Sequence, residues 1–162
     1  MKKNVIIFMP SIEDGGVEKN LYEVSNYLVK NNISLEIITC NKNMSFKFSK
    51  DIKFIGTKNS YWNNRSRYIK YIICLLILFL TLIKRKEKTL VFAFQANIYA
   101  VILAKILNVK IITRSNSAPP GWSQNAIKNF IYKFFIKFAN DVMVNSFEFK
   151  KIFEKKFGVK VK

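Results

Sequence analysis

The sequence predicts a doubly wound α/β domain: a mostly parallel sheet of about six or seven strands with helices on both faces. Three observations carry that expectation. Short, uninterrupted apolar runs suit strands buried on both faces. Apolar stripes at spacings of three and four mark helices between them. The first run and the first stripe are joined by a turn that contains Gly15 and Gly16.

Val5-Ile6-Ile7-Phe8-Met9 reads as the first strand and ends at Pro10-Ser11. Val17, Leu21, Val24 and Leu28 form one helix stripe, with Glu18, Lys19, Lys30 and Asn31 off it. Leu35 to Thr39 is a second strand, and strand, turn, helix and strand in this order make a βαβ unit. Residues 51–56 read as a short third strand, inside a polar, basic stretch from Met44 to Arg67 that is expected to be a loop carrying Tyr61 and Trp62. Tyr68 to Ile83 is strongly apolar, and its unbroken part, Tyr71 to Ile83, has 13 residues. A bilayer span needs roughly 20, so a core helix, or one dipping into a membrane interface, is expected instead. Leu90 to Phe94 is a buried strand, Ala96 to Leu107 a helix packed on the sheet, and residues 110–113 the next strand. Ile127, Ile131, Phe134 and Phe138 mark a further helix stripe. Residues 141–145 are a sixth strand, and Ser146 is a candidate N-cap for a last helix with Ile152, Phe153 and Phe157 inward. Val159 to Lys162 reads as the start of a seventh strand.

A chain of 162 residues, half of them apolar, is expected to fold as one domain over residues 1–162. Histidine is absent, which removes the commonest general base and metal ligand. Cys40 and Cys74 stand far apart in sequence without a C-x-x-C motif, so no metal site or disulfide scaffold is predicted and a reducing compartment fits. Met1-Lys2-Lys3-Asn4 followed by five apolar residues does not make a signal peptide. The formal charge is +18, and no carboxylate lies between Glu87 and Asp141. A field of that sign attracts nucleic acid or an anionic lipid surface, or simply coats a lysine-rich protein. The aromatics fall mostly at core-periodic positions and carry no RNA-recognition signature, so no nucleic-acid partner is expected.

In doubly wound sheets, ligands gather at the carboxyl ends of the strands. The loop Ser11 to Glu18 holds Gly15 and Gly16 there, where paired glycines admit a ligand to the backbone, or only make a tight turn. Arg114, Asn116 and Ser117 follow a strand, with an arginine suited to a phosphate or carboxylate. Gln95 and Asn97 either bond sugar hydroxyls or cap the next helix, and Asn145 and Ser146 sit likewise at a strand end. Tyr61 and Trp62 suit a sugar, an interface or the core. No nucleophile-and-base pair is apparent in the sequence.

Gly15-Gly16-Val17-Glu18 opening the first helix, Arg114-Ser115-Asn116 at a strand end, and Asp141 to Ser146 before a helix ending Phe157-Gly158-Val159 occur in an order that resembles the N-terminal, acceptor-side domain of family 4 retaining glycosyltransferases. The resemblance covers essentially the whole chain. It implies one Rossmann-like half of a GT-B fold, no cofactor and no metal, with a nucleotide sugar as donor substrate and a lipid-linked or cell-surface glycan as acceptor. By the same resemblance, Gly15, Gly16 and Glu18 lie on the donor/acceptor loop, and Gln95, Asn97, Arg114, Asn116 and Ser117 on the acceptor side. Many members carry a histidine near the fourth strand's end, where this chain has Phe94, Gln95 and Asn97, so that role does not carry over. The family's donor-binding residues belong to a C-terminal domain beyond Lys162, expected as a missing domain or a separate subunit, and the chain is expected to be inactive alone. Lys128, Lys133 and Lys137, on a phenylalanine-rich helix, suit an anionic membrane and a peripheral cytoplasmic location on the plasma membrane. A non-catalytic membrane- or acceptor-binding module is the alternative.

Overall fold

The computed structural model describes residues 4–13, 15–57, 61–62, 65–85, 88–116 and 123–162. Six parallel strands form one sheet in the order β3-β2-β1-β4-β5-β6. They are β1 (Asn4–Phe8), β2 (Ser34–Ile38), β3 (Lys53–Ile55), β4 (Thr89–Ala93), β5 (Lys110–Ser115) and β6 (Asp141–Val144). Between and after them lie α1 (Gly16–Lys30), α2 (Arg67–Ile83), α3 (Asn97–Ile106), α4 (Ala126–Ile136) and α5 (Phe147–Phe157).

The chain starts in the middle of the sheet, steps outward to β2 and β3, then crosses back to β4 and proceeds to β6. Right-handed crossovers in the two directions must place their helices on opposite faces. The packing follows that rule. Leu21 of α1 packs with Val5, Ile7, Leu35, Ile37 and Phe92 on one face. Cys74, Leu78 and Leu82 of α2 and Ala100, Val101 and Ala104 of α3 pack with Ile6, Phe8, Val91 and Ile111 on the other. Val142 stands in register beside Thr113 and carries the second face on to Ile136 of α4 and to Phe153 and Phe157 of α5. From Val5 to Phe8 β1 is apolar at every position because both of its faces are covered.

Several expectations change. No seventh strand forms among the described residues. The Val161 N–H donates to the Glu154 carboxylate at 2.9 Å, and only the Lys162 N–H reaches β6, at Val142 O, 3.0 Å. A side chain has captured a donor that a ladder would need. In the Met44–Arg67 stretch the short third strand forms where expected, as β3, but a 3-10 turn at Lys42–Lys47 runs into the part expected to be loop. Ser146 caps α5 as expected, accepting the Phe149 N–H at 3.2 Å, but Ile152 faces outward while Phe153 and Phe157 are buried.

The largest correction concerns α4. Its expected core stripe, Ile127, Ile131, Phe134 and Phe138, is exposed, and the buried residue is Ile136, with Tyr132 and Phe135 half-buried. The helix is apolar around most of its circumference, and its packing against α3 and α5 decides which side is covered. Helix α2 has 17 residues, about 25 Å at 1.5 Å per residue. Among the described residues, no helix is long and apolar enough to cross a membrane. Cys40, just after β2, and Cys74 of α2 are free buried thiols with sulfurs 3.5 Å apart in the core.

Candidate functional site

A cleft of about 820 Å³ opens at the carboxyl edge of the sheet, above β1, β4 and β5. Gly15, Gly16 and Glu18 line it from the loop after β1, and Gln95 and Asn97 from the loop after β4. Arg114 and Asn116 line it from the end of β5, and Lys128 from the first turn of α4. Residues picked from three strand ends, with Lys128 of α4, therefore share one wall system. Lys133, exposed on α4, and Lys137, exposed just after it, do not line the cleft. Ser117 lies outside the described residues. Tyr61 and Trp62 pack edge-to-face at 5.3 Å, away from the cleft, with the Arg65 guanidinium over the Tyr61 ring.

The loops are tied to one another by side-chain amides. Gln95 Oε1 accepts the Ser11 N–H at 3.0 Å, and Asn97 Nδ2 donates to Arg114 O at 2.7 Å. Asn116 Nδ2 donates to Phe94 O at 2.6 Å, and Asn145 Nδ2 donates to Asn116 O at 3.1 Å. Gln95 and Asn97 thus bridge strands and do not cap α3. The N-cap position of α3 is taken by Ala96, whose φ of 52° lies in the left-handed region. A non-glycine residue there stores roughly 1–2 kcal/mol, and such strain gathers at functional sites.

Gly15 has an extended backbone, and an added Cβ would sit 3.0 Å from Glu18 Oε2, a tight approach that the carboxylate would have to relieve by a small shift. Glu18 is itself buried and accepts the Glu13 N–H at 3.2 Å, although its position off the apolar stripe of α1 suggested a solvated face. At Gly16, the first residue of α1, the space is open: an added Cβ would meet no heavy atom of the described residues within 4 Å. Beneath the loop, buried Lys70 of α2 donates to Ser11 Oγ at 3.1 Å, and Ser11 Oγ donates to Glu13 Oε1 at 3.0 Å. Sequence spacing gave no sign of Lys70, which reaches the loop across 59 positions.

Arg114 is the cleft's cation on β5. Its Nε and Nη2 donate to Asn145 Oδ1 at 3.3 and 3.1 Å, and the guanidinium lies over the Phe94 ring at 5.6 Å. Burial pushes its pKa below the usual arginine value, opposed by the field of Glu23. An arginine stays charged in a protein in spite of such a shift. The Tyr132 hydroxyl is pushed up to about 12 by burial, against hydrogen bonds from Asn97 and Ser115, so it stays a neutral phenol at the cleft floor. Two amide oxygens here, Asn97 Oδ1 and Asn116 Oδ1, are buried without a donor among the described residues. An orphaned buried acceptor costs about 1–3 kcal/mol, and a ligand hydroxyl or N–H would satisfy it.

A six-stranded parallel sheet with helices on both faces, and a cleft at the strands' carboxyl ends, is a Rossmann-like fold. Solved structures agree on the fold. The chain is similar to UGT73P12 of Glycyrrhiza uralensis, complexed with glycyrrhetinic acid 3-O-monoglucuronide, at TM-score 0.68 and 10% identity over 99% of this chain and 48% of that one. It is similar to HepE (Alr3699) of Anabaena, in complex with UDP and glucose, at TM-score 0.63 and 12% identity over 95% and 41% of the two chains. TcCGT1 in complex with UDP gives TM-score 0.58 and 11% identity over 99% and 50%. The chain spans about half the length of the solved structures it resembles. No family model matches the sequence, and no curated protein matches it.

Proposed function

We propose that this chain is the acceptor-binding half of a glycosyltransferase that moves a sugar from a nucleotide sugar to a lipid-linked or cell-surface glycan, at the inner face of the plasma membrane. The donor half is a second Rossmann-like domain or subunit, and the chain alone does not turn over. The fold likeness to sugar transferases that carry UDP supports the class. The observation that carries the reading is the pair of amide oxygens without a donor among the described residues, Asn97 Oδ1 and Asn116 Oδ1, in a cleft also lined by the cation Arg114 and by Gly16 at the amino end of α1. Open acceptors suit sugar hydroxyls, while a cation and a helix amino end suit a diphosphate.

The test is a calorimetric titration with a water-soluble, short-chain polyprenyl-diphosphate hexose, and in parallel with a UDP-hexose. Saturable binding of the former, with a Kd tighter than about 1 mM, and none of the latter is expected. Binding of the UDP-hexose alone would make this the donor half and sink the proposal.

A further inference from the structure

We propose that the outer surface of α2, α3 and α4 is a docking face for an anionic phospholipid bilayer, and that the cleft opens along its rim. The three helices lie on one face of the sheet, α2 against α3 and α3 against α4. Each turns apolar side chains outward. Ile72, Leu76 and Leu80 of α2, Ile106 of α3, and Phe130 and Phe134 of α4 are 49–73% exposed. A monomeric surface rarely leaves so many large apolar groups together without a use.

Charge selects the occupant. Between Asp51 and Asp141 the sequence has a single carboxylate, Glu87, and that stretch supplies all three helices. Arg67, Lys84, Lys105, Lys133 and Lys137 are exposed on them or at their ends. Lys105 extends from α3 over the Phe138 ring at 5.4 Å, its ammonium held above an aromatic. Apolar stripes framed by cations, in a stretch of sequence with one carboxylate, fit a lipid surface of negative potential, with acyl chains below the headgroups. The orientation is in-plane, since the opposite stripe of α2, Cys74, Leu78 and Leu82, is committed to the core.

The site gives the face its purpose. Arg67 and Tyr68 from the start of α2, Tyr99 from α3, and Lys128 and Ile131 from α4 form the cleft's rim. A molecule tethered in the bilayer would enter sideways over these residues. That last step rests on the acceptor reading above; the docking itself does not.

Co-sedimentation of the whole chain with phosphatidylcholine vesicles, with and without phosphatidylglycerol, at low and high salt tests it. Binding is expected to the anionic vesicles at low salt, weakened by high salt. Each of Lys105→Glu, Lys133→Glu and Lys137→Glu should cost about fivefold or more in partitioning. Leu76→Glu with Leu80→Glu should abolish binding while the circular dichroism stays unchanged. Lys19→Glu and Lys30→Glu, on α1 across the sheet, should cost far less. The proposal is overturned by no binding at low salt or by equal losses from the α1 substitutions. A concentration-dependent dimer that Leu76→Glu converts to monomer would also overturn it, because a second copy would then cover the face. Binding of the soluble acceptor is measured separately, so either reading can fail alone.

Discussion

Leu78→Ala is expected to cost about 2–5 kcal/mol of stability, whereas Leu76→Ala, two positions away on the same helix, should cost less than about 0.5 kcal/mol. Both residues belong to the apolar run of α2, and hydropathy does not distinguish them. Leu78 is 0% exposed and packs with Phe8, Cys74 and Ala100, so truncating it leaves a cavity that rigid strands and helices cannot close. Leu76 is 58% exposed and touches little that would be lost. At roughly 2–4 °C per kcal/mol for a domain of this size, the first change lowers the melting temperature by about 5–15 °C. Equal effects at the two positions would mean that α2 is surrounded on all sides, as in a span or a tight assembly, and the amphipathic reading of this helix would fail.

Arg114→Ala should weaken binding of the soluble prenyl-diphosphate sugar by roughly 10–100-fold, since hydrogen bonds to charged groups contribute about 1.5–3 kcal/mol. The guanidinium is held by Asn145 on one side and rests over Phe94, so little of its freedom remains to be lost on binding. Arg114→Lys should recover only part of the loss, because an ammonium lacks the fork that meets two phosphate oxygens at once. Stability should change by less than about 1 kcal/mol, as the bonds to Asn145 are exposed. An unchanged affinity in Arg114→Ala would remove the cation from the proposed site.

The order of strands and helices was legible in the sequence because a parallel sheet demands continuous apolar runs, and Val5–Met9 and Leu90–Phe94 have that form. The face of α4 was not. Its period was right and its side wrong, since Tyr132, Phe135 and Ile136 offer a second apolar stripe and only the position of α3 and α5 chooses between them. The loops bearing Gly15, Gln95, Arg114 and Asn116 could be placed at strand ends from spacing alone, because β1, β4 and β5 are neighbours whose carboxyl ends point one way. Their mutual bonds could not, nor could Lys70, which reaches Ser11 beneath the first loop, or Tyr132, which lines the cleft; both come from helices through packing and carry no local signal. The capping role expected of Gln95 or Asn97 fails for a backbone reason: the left-handed Ala96 occupies the cap position and frees both amides to bridge strands.

The most direct measurement is amide chemical-shift mapping of the chain with the short-chain prenyl-diphosphate hexose. Saturable shifts are expected at Gly15, Gly16, Gln95, Arg114 and Asn116, which line the cleft together. Shifts confined to the amino ends of the strands, or produced by a UDP-hexose and not by the acceptor, would contradict the acceptor reading.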